Sequence, residues 1–376
     1  MYRTTALVLT VLGALLFAGS ATAATVTPVM TGLDNPRGLA FGPEGGLYVA
    51  ESGTGGTSPP CRVARGRTQC FGPTGAISRL RHGVQEKWLT GLPSLAFADG
   101  SEADGPQDIV FERSPLYGAI PSLVVADAYV TMGFGGSPEQ RALLGPSVSL
   151  MGTLLRVRLF ELGGVNVSPP FRRIQVVADV VAYEGAVNPA GGPIDSNPFG
   201  VLPFWRQHQI VVDAGANAVF SVAGGVVSTL AVVGPRPNPT PIGPPFVDSV
   251  PTAAAVGPDG ALYVSELTGV PFLTGFARIH RIAADGTTSV YATGLTTVVD
   301  LAFGNDGTLY ALQHASCGPF FTCPGSIVRV GASAPHAVVY GGLSRPAGMT
   351  IGPDQPFYVS NRSASAAVGE VLRIAP

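Results

Sequence analysis

Oxygen-bearing side chains recur at one point of a repeating pattern in this chain. Glu51, Asp127, Asp213, Glu266, Gln313 and Asn361 each close a short run of aliphatic and aromatic residues, as in Leu47-Tyr48-Val49-Ala50-Glu51 and Phe357-Tyr358-Val359-Ser360-Asn361. Arg37, Asp108 and Asp300 stand near the start of the preceding run. Carboxylates and amides gathered around one channel are the donors a hard divalent cation selects. Glu51, Asp213 and Asn361 would then be the metal ligands. The same groups also serve structural networks that hold loop amides, and both readings stay open at this stage.

Other chemistry finds less support. The five histidines are scattered, and only His314 falls near the same mouth. None pairs at metal-ligand or triad spacing, and there is no G-x-S-x-G turn or Walker loop. The four cysteines form two local pairs, Cys61 with Cys70 and Cys317 with Cys323. Of the three connectivities that four cysteines allow, the local one closes two short loops and is the one expected. Net charge is −2 with no basic stripe, which argues against nucleic acid as a partner.

The elements that must position these residues are β-hairpins. Asp34 to Ser52, Pro251 to Leu267, Val298 to His314 and Arg345 to Arg362 each read as apolar strand, Gly-Pro-Asp-Gly-like turn, apolar strand. Such turns supply the positive φ a tight hairpin needs. Two degenerate copies start at Gly105 and Asn197. A third strand follows each hairpin, and several units end a fourth strand in Thr-Gly-Leu or Gly-Gly-Leu, as at Thr90-Gly91-Leu92. Four antiparallel strands repeated radially predict an all-β, six-bladed propeller. The last unit stops after its third strand, and Val26 to Leu33 carries the missing fourth-strand ending. The N-terminal strand is therefore expected to complete the last blade and close the ring. Long connections, including Ser52 to Thr74, Ala128 to Met151 and Gln313 to Pro324, fall on one rim, which marks the expected working face.

Residues 1–23 read as a secretory signal peptide: Arg3, an apolar run to Gly19, then Ala21-Thr22-Ala23. Residues 24–376 form one expected domain, secreted or periplasmic, monomeric and without a membrane span. An apolar content of 46% supports a large core, and 50 Gly with 34 Pro fit many turns.

The blocks Asn35 to Glu51, Gly72-Pro73-Thr74-Gly75-Ala76-Ile77, Asp195-Ser196-Asn197-Pro198-Phe199-Gly200 and Asp213-Ala214-Gly215-Ala216-Asn217-Ala218 resemble the ScyD/ScyE family of exported bacterial proteins. More broadly the repeat is similar to NHL and TolB-like propellers. The resemblance implies fold and export, and no settled activity. The reading that follows is a binding or scaffold protein for a small molecule or an extracellular partner, using a mouth ringed by Glu51, Asp108, Asp127, Asp213, Glu266, Asp300, His314 and Asn361. The alternative is a metal-dependent hydrolase similar to gluconolactonase, with a divalent cation in the channel.

Overall fold

The computed structural model describes residues 24–113, 123–162, 165–166, 174–205 and 208–375. The expected signal peptide, residues 1–23, lies outside them. The chain is all-β, built as small antiparallel sheets. Sheet 1 holds Pro36–Phe41, Leu47–Glu51, Arg67–Arg81 and Val84–Phe97, with Cys61–Ala64 also paired to the third of these. Sheet 2 holds Pro106–Arg113, Leu123–Met132, Thr153–Leu162 and Ile174–Asp179; sheet 3 holds Pro198–Trp205, His208–Asp213, Ala218–Ala223 and Val226–Val232. Sheet 4 holds Pro251–Val256, Leu262–Glu266, Ala277–Ile282 and Thr288–Leu295; sheet 5 holds Val298–Phe303, Leu309–Gln313, Gly325–Arg329 and Ala337–Leu343. Sheet 6 joins Gly348–Ile351, Phe357–Asn361 and Gly369–Ala375 to the N-terminal strand Thr25–Leu33, which runs antiparallel to Gly369–Ala375.

The turn chemistry carries over from the sequence. Gly45, Gly260 and Gly307 close the first hairpins of sheets 1, 4 and 5 at φ of 84°, 76° and 80°, the left-handed region open to glycine at little cost. The first strands lie side by side in chain order, and that of sheet 1 also lies against that of sheet 6. Apolar residues fill the space between neighbouring sheets. Between sheets 1 and 2, the edge-on pair Tyr48 and Trp88 sits at a centroid distance of 5.1 Å within a buried cluster. Side chains of that size stabilise the fold by about 1.5–3 kcal/mol each on burial.

Among the described residues two α-helices interrupt the β pattern, one between the second and third strands of sheet 2 and one between sheets 2 and 3. Helix α1, Pro138–Leu144, is started by a capping box between Ser137 and Gln140. Helix α2, Val180–Val187, is capped by Asp179, whose side chain accepts from the Ala182 N–H. No described helix is long and apolar enough to cross a membrane.

Both expected disulfides are present, Cys61–Cys70 and Cys317–Cys323, which fits an oxidising compartment. Cys61 and Cys70 face each other across the hairpin formed by Cys61–Ala64 and the start of Arg67–Arg81. With a sequence separation of 9, that bridge should contribute about 2–3 kcal/mol in the chain-entropy model. Replacing both cysteines by serine is expected to lower the melting temperature and leave the far-ultraviolet circular dichroism of the folded protein unchanged. Loss of the β signal at room temperature would mean the bridge is needed for the fold itself.

Candidate functional site

The oxygen-bearing residues that end the second strands occupy one register. Glu51 pairs with Pro36, Asp213 with Pro198, Glu266 with Pro251 and Gln313 with Val298. In sheets 1, 3, 5 and 6 these side chains do a common job: the segment entering the first strand presents a backbone N–H that the strands cannot satisfy, and the side chain accepts it. In sheet 4 Asn217 Oδ1 accepts the incoming Val250 N–H instead. Glu51 Oε2 accepts from Asp34 N at 2.7 Å, Gln313 Oε1 from Thr296 N at 2.8 Å and Asn361 Oδ1 from Ser344 N at 2.8 Å. Asp213 Oδ1 accepts from Asn197 N, Gly215 N and Ala216 N, and its Oδ2 from Ser196 Oγ.

The remaining valences are taken as well. Glu51 accepts from Lys87 Nζ at 2.6 Å and from the Ser78 hydroxyl. Glu266 holds Arg236, Arg278 and His280 within 2.9 Å, and these partners keep its pKa below the ordinary range despite burial. Asn361 donates to Glu370 Oε1 at 2.8 Å. Glu51, Asp213 and Asn361 are thus each committed to their own surroundings. Among the described residues, no three His, Cys, Asp or Glu side chains stand together as a ready set of metal ligands.

Asp127 does not share this register. Strand Leu123–Met132 continues five residues past it, so Met132, opposite Pro106, takes the equivalent place, while Asp127 pairs with Glu112. Its charge is met by Arg158 on the next strand, at 2.8 and 3.1 Å. Leu123-Val124-Val125-Ala126-Asp127 copies the repeat's motif one half-strand before the strand's end, so the motif alone sets Asp127 with the other strand ends.

Asp108 and Asp300 belong to the first strands and tie one to another. Asp108 Oδ2 accepts from Val201 N at 2.9 Å, reaching sheet 3, and Asp300 Oδ2 from Met349 N at 2.6 Å, reaching sheet 6. Gly38 makes room for the first tie, since a Cβ there would lie 1.9 Å from Asp108 Oδ1. Burial pushes both carboxyls up, Asp108 to about 8 with the charge of Asp300 adding to the effect, and Asp300 to about 7. His314 donates Nδ1–H to the Pro346 carbonyl at 2.8 Å, with its ring edge-on to Phe321. Burial lowers its pKa to about 4, so the ring is neutral near pH 7.

One open cleft lies beside the Asp213 clamp, among the long connections. Its volume is about 620 Å³, and it is lined by Arg62, Arg65, Asp104, Asp195, Asn217 and Asp248 among others. The disulfide-bridged hairpin forms one wall. Arg62 is fixed there by Asp104 at 2.7 Å and by the carbonyls of Phe134 and Gly135. Arg65, at the hairpin's tip, is more exposed and pairs with Glu102. Asp195 is an exposed residue that opens onto the cleft, and no described residue donates a hydrogen bond to its carboxylate; reduced hydration in the cleft, with the charges of Asp104 and Asp248, raises its pKa against the opposing pull of Arg62 and Arg65. Val63 and Leu143 bring exposed apolar surface to the lining. The cleft therefore presents donors, acceptors and apolar contact together. Sequence reasoning placed the hairpin in a long loop and missed Arg62, Arg65, Asp195 and Asp248. The Arg65-Gly66 pair, both at positive φ, was the available hairpin signal.

Neither the family models nor the curated proteins contain a match to this sequence. Solved structures do resemble it. One is a Thermus thermophilus protein described as an oxidoreductase of glucose dehydrogenase type, 18% identical, with a TM-score of 0.52 over 94% of this chain and 100% of its own. Another is the calcium structure of a Trichoderma reesei member of carbohydrate-active enzyme family AA12, 11% identical, with a TM-score of 0.52 over 94% of this chain and 96% of its own. At such identity the likeness speaks to fold, and the fold is of the β-propeller type.

Proposed function

We propose that residues 24–376 are one exported, six-bladed propeller that binds a small polyhydroxylated ligand, such as a sugar or its lactone, on its long-loop face. The six four-stranded paths would be the blades, with the N-terminal strand closing the ring. The contact of the first strands of sheets 1 and 6 supports closure, as do the hydrogen bonds between Gln85 and the backbone of Thr31. The ScyD/ScyE resemblance supports export and assigns no chemistry.

The observation that carries the ligand reading is the cleft beside Asp195. Its fixed guanidinium, its carboxylate without a hydrogen-bond donor and its apolar rim match a ring that offers hydroxyl donors, acceptors and a C–H face together. Binding is preferred to catalysis because the oxygens of Glu51, Asp213 and Asn361 already hold loop backbone or neighbouring side chains. A gluconolactonase-type metal in the channel would first have to release those hydrogen bonds.

Titration calorimetry against a panel of sugars and aldonolactones tests this. The expected result is binding that weakens at least tenfold in Asp195→Asn, a loss of about 1.4 kcal/mol, with the melting temperature preserved. Equal affinity in the variant, or no binding across the panel at millimolar concentration, would overturn it.

A further inference from the structure

Phe321, in the second disulfide loop, has three neighbours of different chemistry. Phe272 stacks on its ring at a centroid distance of 4.0 Å. His314 meets it edge-on at 4.9 Å. The Arg345 guanidinium lies over it, 5.2 Å from the centroid. The loop is closed by Cys317–Cys323 and tied to the segment before sheet 4's third strand, where Thr274 Oγ1 accepts from Gly318 N at 2.8 Å and the Pro271 carbonyl from Phe320 N at 3.0 Å. Phe272, Phe320 and Phe321 hold φ of 60°, 58° and 57°. Bulky side chains enter that region at a cost and stay there only where their surroundings enforce it. The aromatic platform is therefore fixed before any ligand arrives.

Its polar groups are open. Arg345 is exposed, and among the described residues no carboxylate pairs with it. His314 commits Nδ1–H to the Pro346 carbonyl, so the neutral ring keeps its lone pair on Nε2. Burial holds the imidazole neutral near pH 7, and no described residue donates to that lone pair. Phe320 and Val270, on the two tied segments, are 54% and 45% exposed and add apolar surface. A carboxylate, a hydroxyl and an apolar body are the groups that such a set accepts together. We propose that Arg345, His314 and the Phe320–Phe321 pair form a second ligand site, for a hydroxycarboxylate with an apolar body. The carboxylate meets the Arg345 guanidinium, the hydroxyl donates to His314 Nε2, and the body lies against the phenyl rings. The site shares no residue with the lining of the Asp195 cleft, so it stands whether or not that cleft takes a sugar.

Calorimetric titration of the mature chain with mandelate, phenylacetate and benzyl alcohol near neutral pH tests this, since the second probe lacks the hydroxyl and the third the carboxylate. Mandelate should bind, phenylacetate roughly tenfold more weakly and benzyl alcohol more weakly still. Arg345→Gln should weaken mandelate by roughly tenfold or more while the melting temperature is preserved. Phe320→Ser leaves both polar groups in place and should weaken mandelate and phenylacetate alike. No binding of mandelate at millimolar concentration would overturn the proposal. Equal affinity for mandelate and phenylacetate, or undiminished mandelate binding in Arg345→Gln, would overturn it as well.

Discussion

A chain that begins at Asp34 should melt far below one that begins at Ala24, and should scatter light on warming. Thr25–Leu33 is the outer strand of sheet 6, paired along its length with Gly369–Ala375. Met30 and Leu33 are 1% and 0% exposed and share a cluster with Leu39, Leu47 and Val49 of sheet 1. Exposing those two side chains alone costs about 3–6 kcal/mol, a large part of the roughly 5–15 kcal/mol typical of a domain. The Gln85 bonds to Thr31 are lost with them. The strand Gly369–Ala375 would also present an open ladder, the kind of edge on which chains aggregate. Circular dichroism melting with parallel light scattering reads both effects. Identical melting of the two proteins would mean that the N-terminal strand adds little to the fold.

Much of this architecture was legible because the hairpin turn repeats almost unchanged. Gly-Pro-Glu-Gly at Gly42, Gly-Pro-Asp-Gly at Gly257 and Gly-Asn-Asp-Gly at Gly304 fix loop length, and loop length fixes register. Where the turn is absent the motif does not fix the register, and Asp127 lies five residues before the strand end that its motif suggests. The helices escaped because they are short and sit in insertions. α2 draws its order from Asp179 at its start and from burial of Val180, Val181 and Glu184, not from a clear apolar stripe. The second-strand carboxylates were found by repetition, but their task could not be. A sequence shows that an acceptor recurs; only the fold shows that a backbone N–H of the incoming loop waits for it. Cleft residues such as Asp195 and Asp248 follow no repeat, since they lie in connections that differ from unit to unit.

Stability should fall steeply as pH rises from 5 to 9, and the double variant Asp108→Asn with Asp300→Asn should flatten that fall. Both carboxyls are held protonated in the folded chain, with values near 8 and 7 against 3.8 for an ordinary aspartate. The folded state therefore binds these protons more tightly than the unfolded one. Their contribution is complete below about pH 4, declines as pH rises, and is gone once pH passes 8. At about 1.4 kcal/mol for each tenfold gain in proton affinity, and discounted for mutual coupling and the solvent access both retain, the pair should account for on the order of 3–6 kcal/mol. Glu184 and Asp213, raised to about 7 and 6, act in the same direction. His314 acts in the opposite one. Its folded value near 4 lies below the ordinary 6.5, so between about pH 4 and 6.5 it offsets part of the carboxyls' effect. One histidine does not outweigh the raised carboxyls, so the expected curve is highest near pH 4, falls gently to about 6.5 and more steeply beyond it. Asparagine keeps one acceptor for the strand amides at each site but turns the second toward an N–H, so the double variant should be less stable than the parent at pH 5. At pH 9 the gap should close or reverse. Urea midpoints measured from pH 4 to pH 9 decide it: parallel curves for parent and double variant would show that these aspartates are not the groups that titrate.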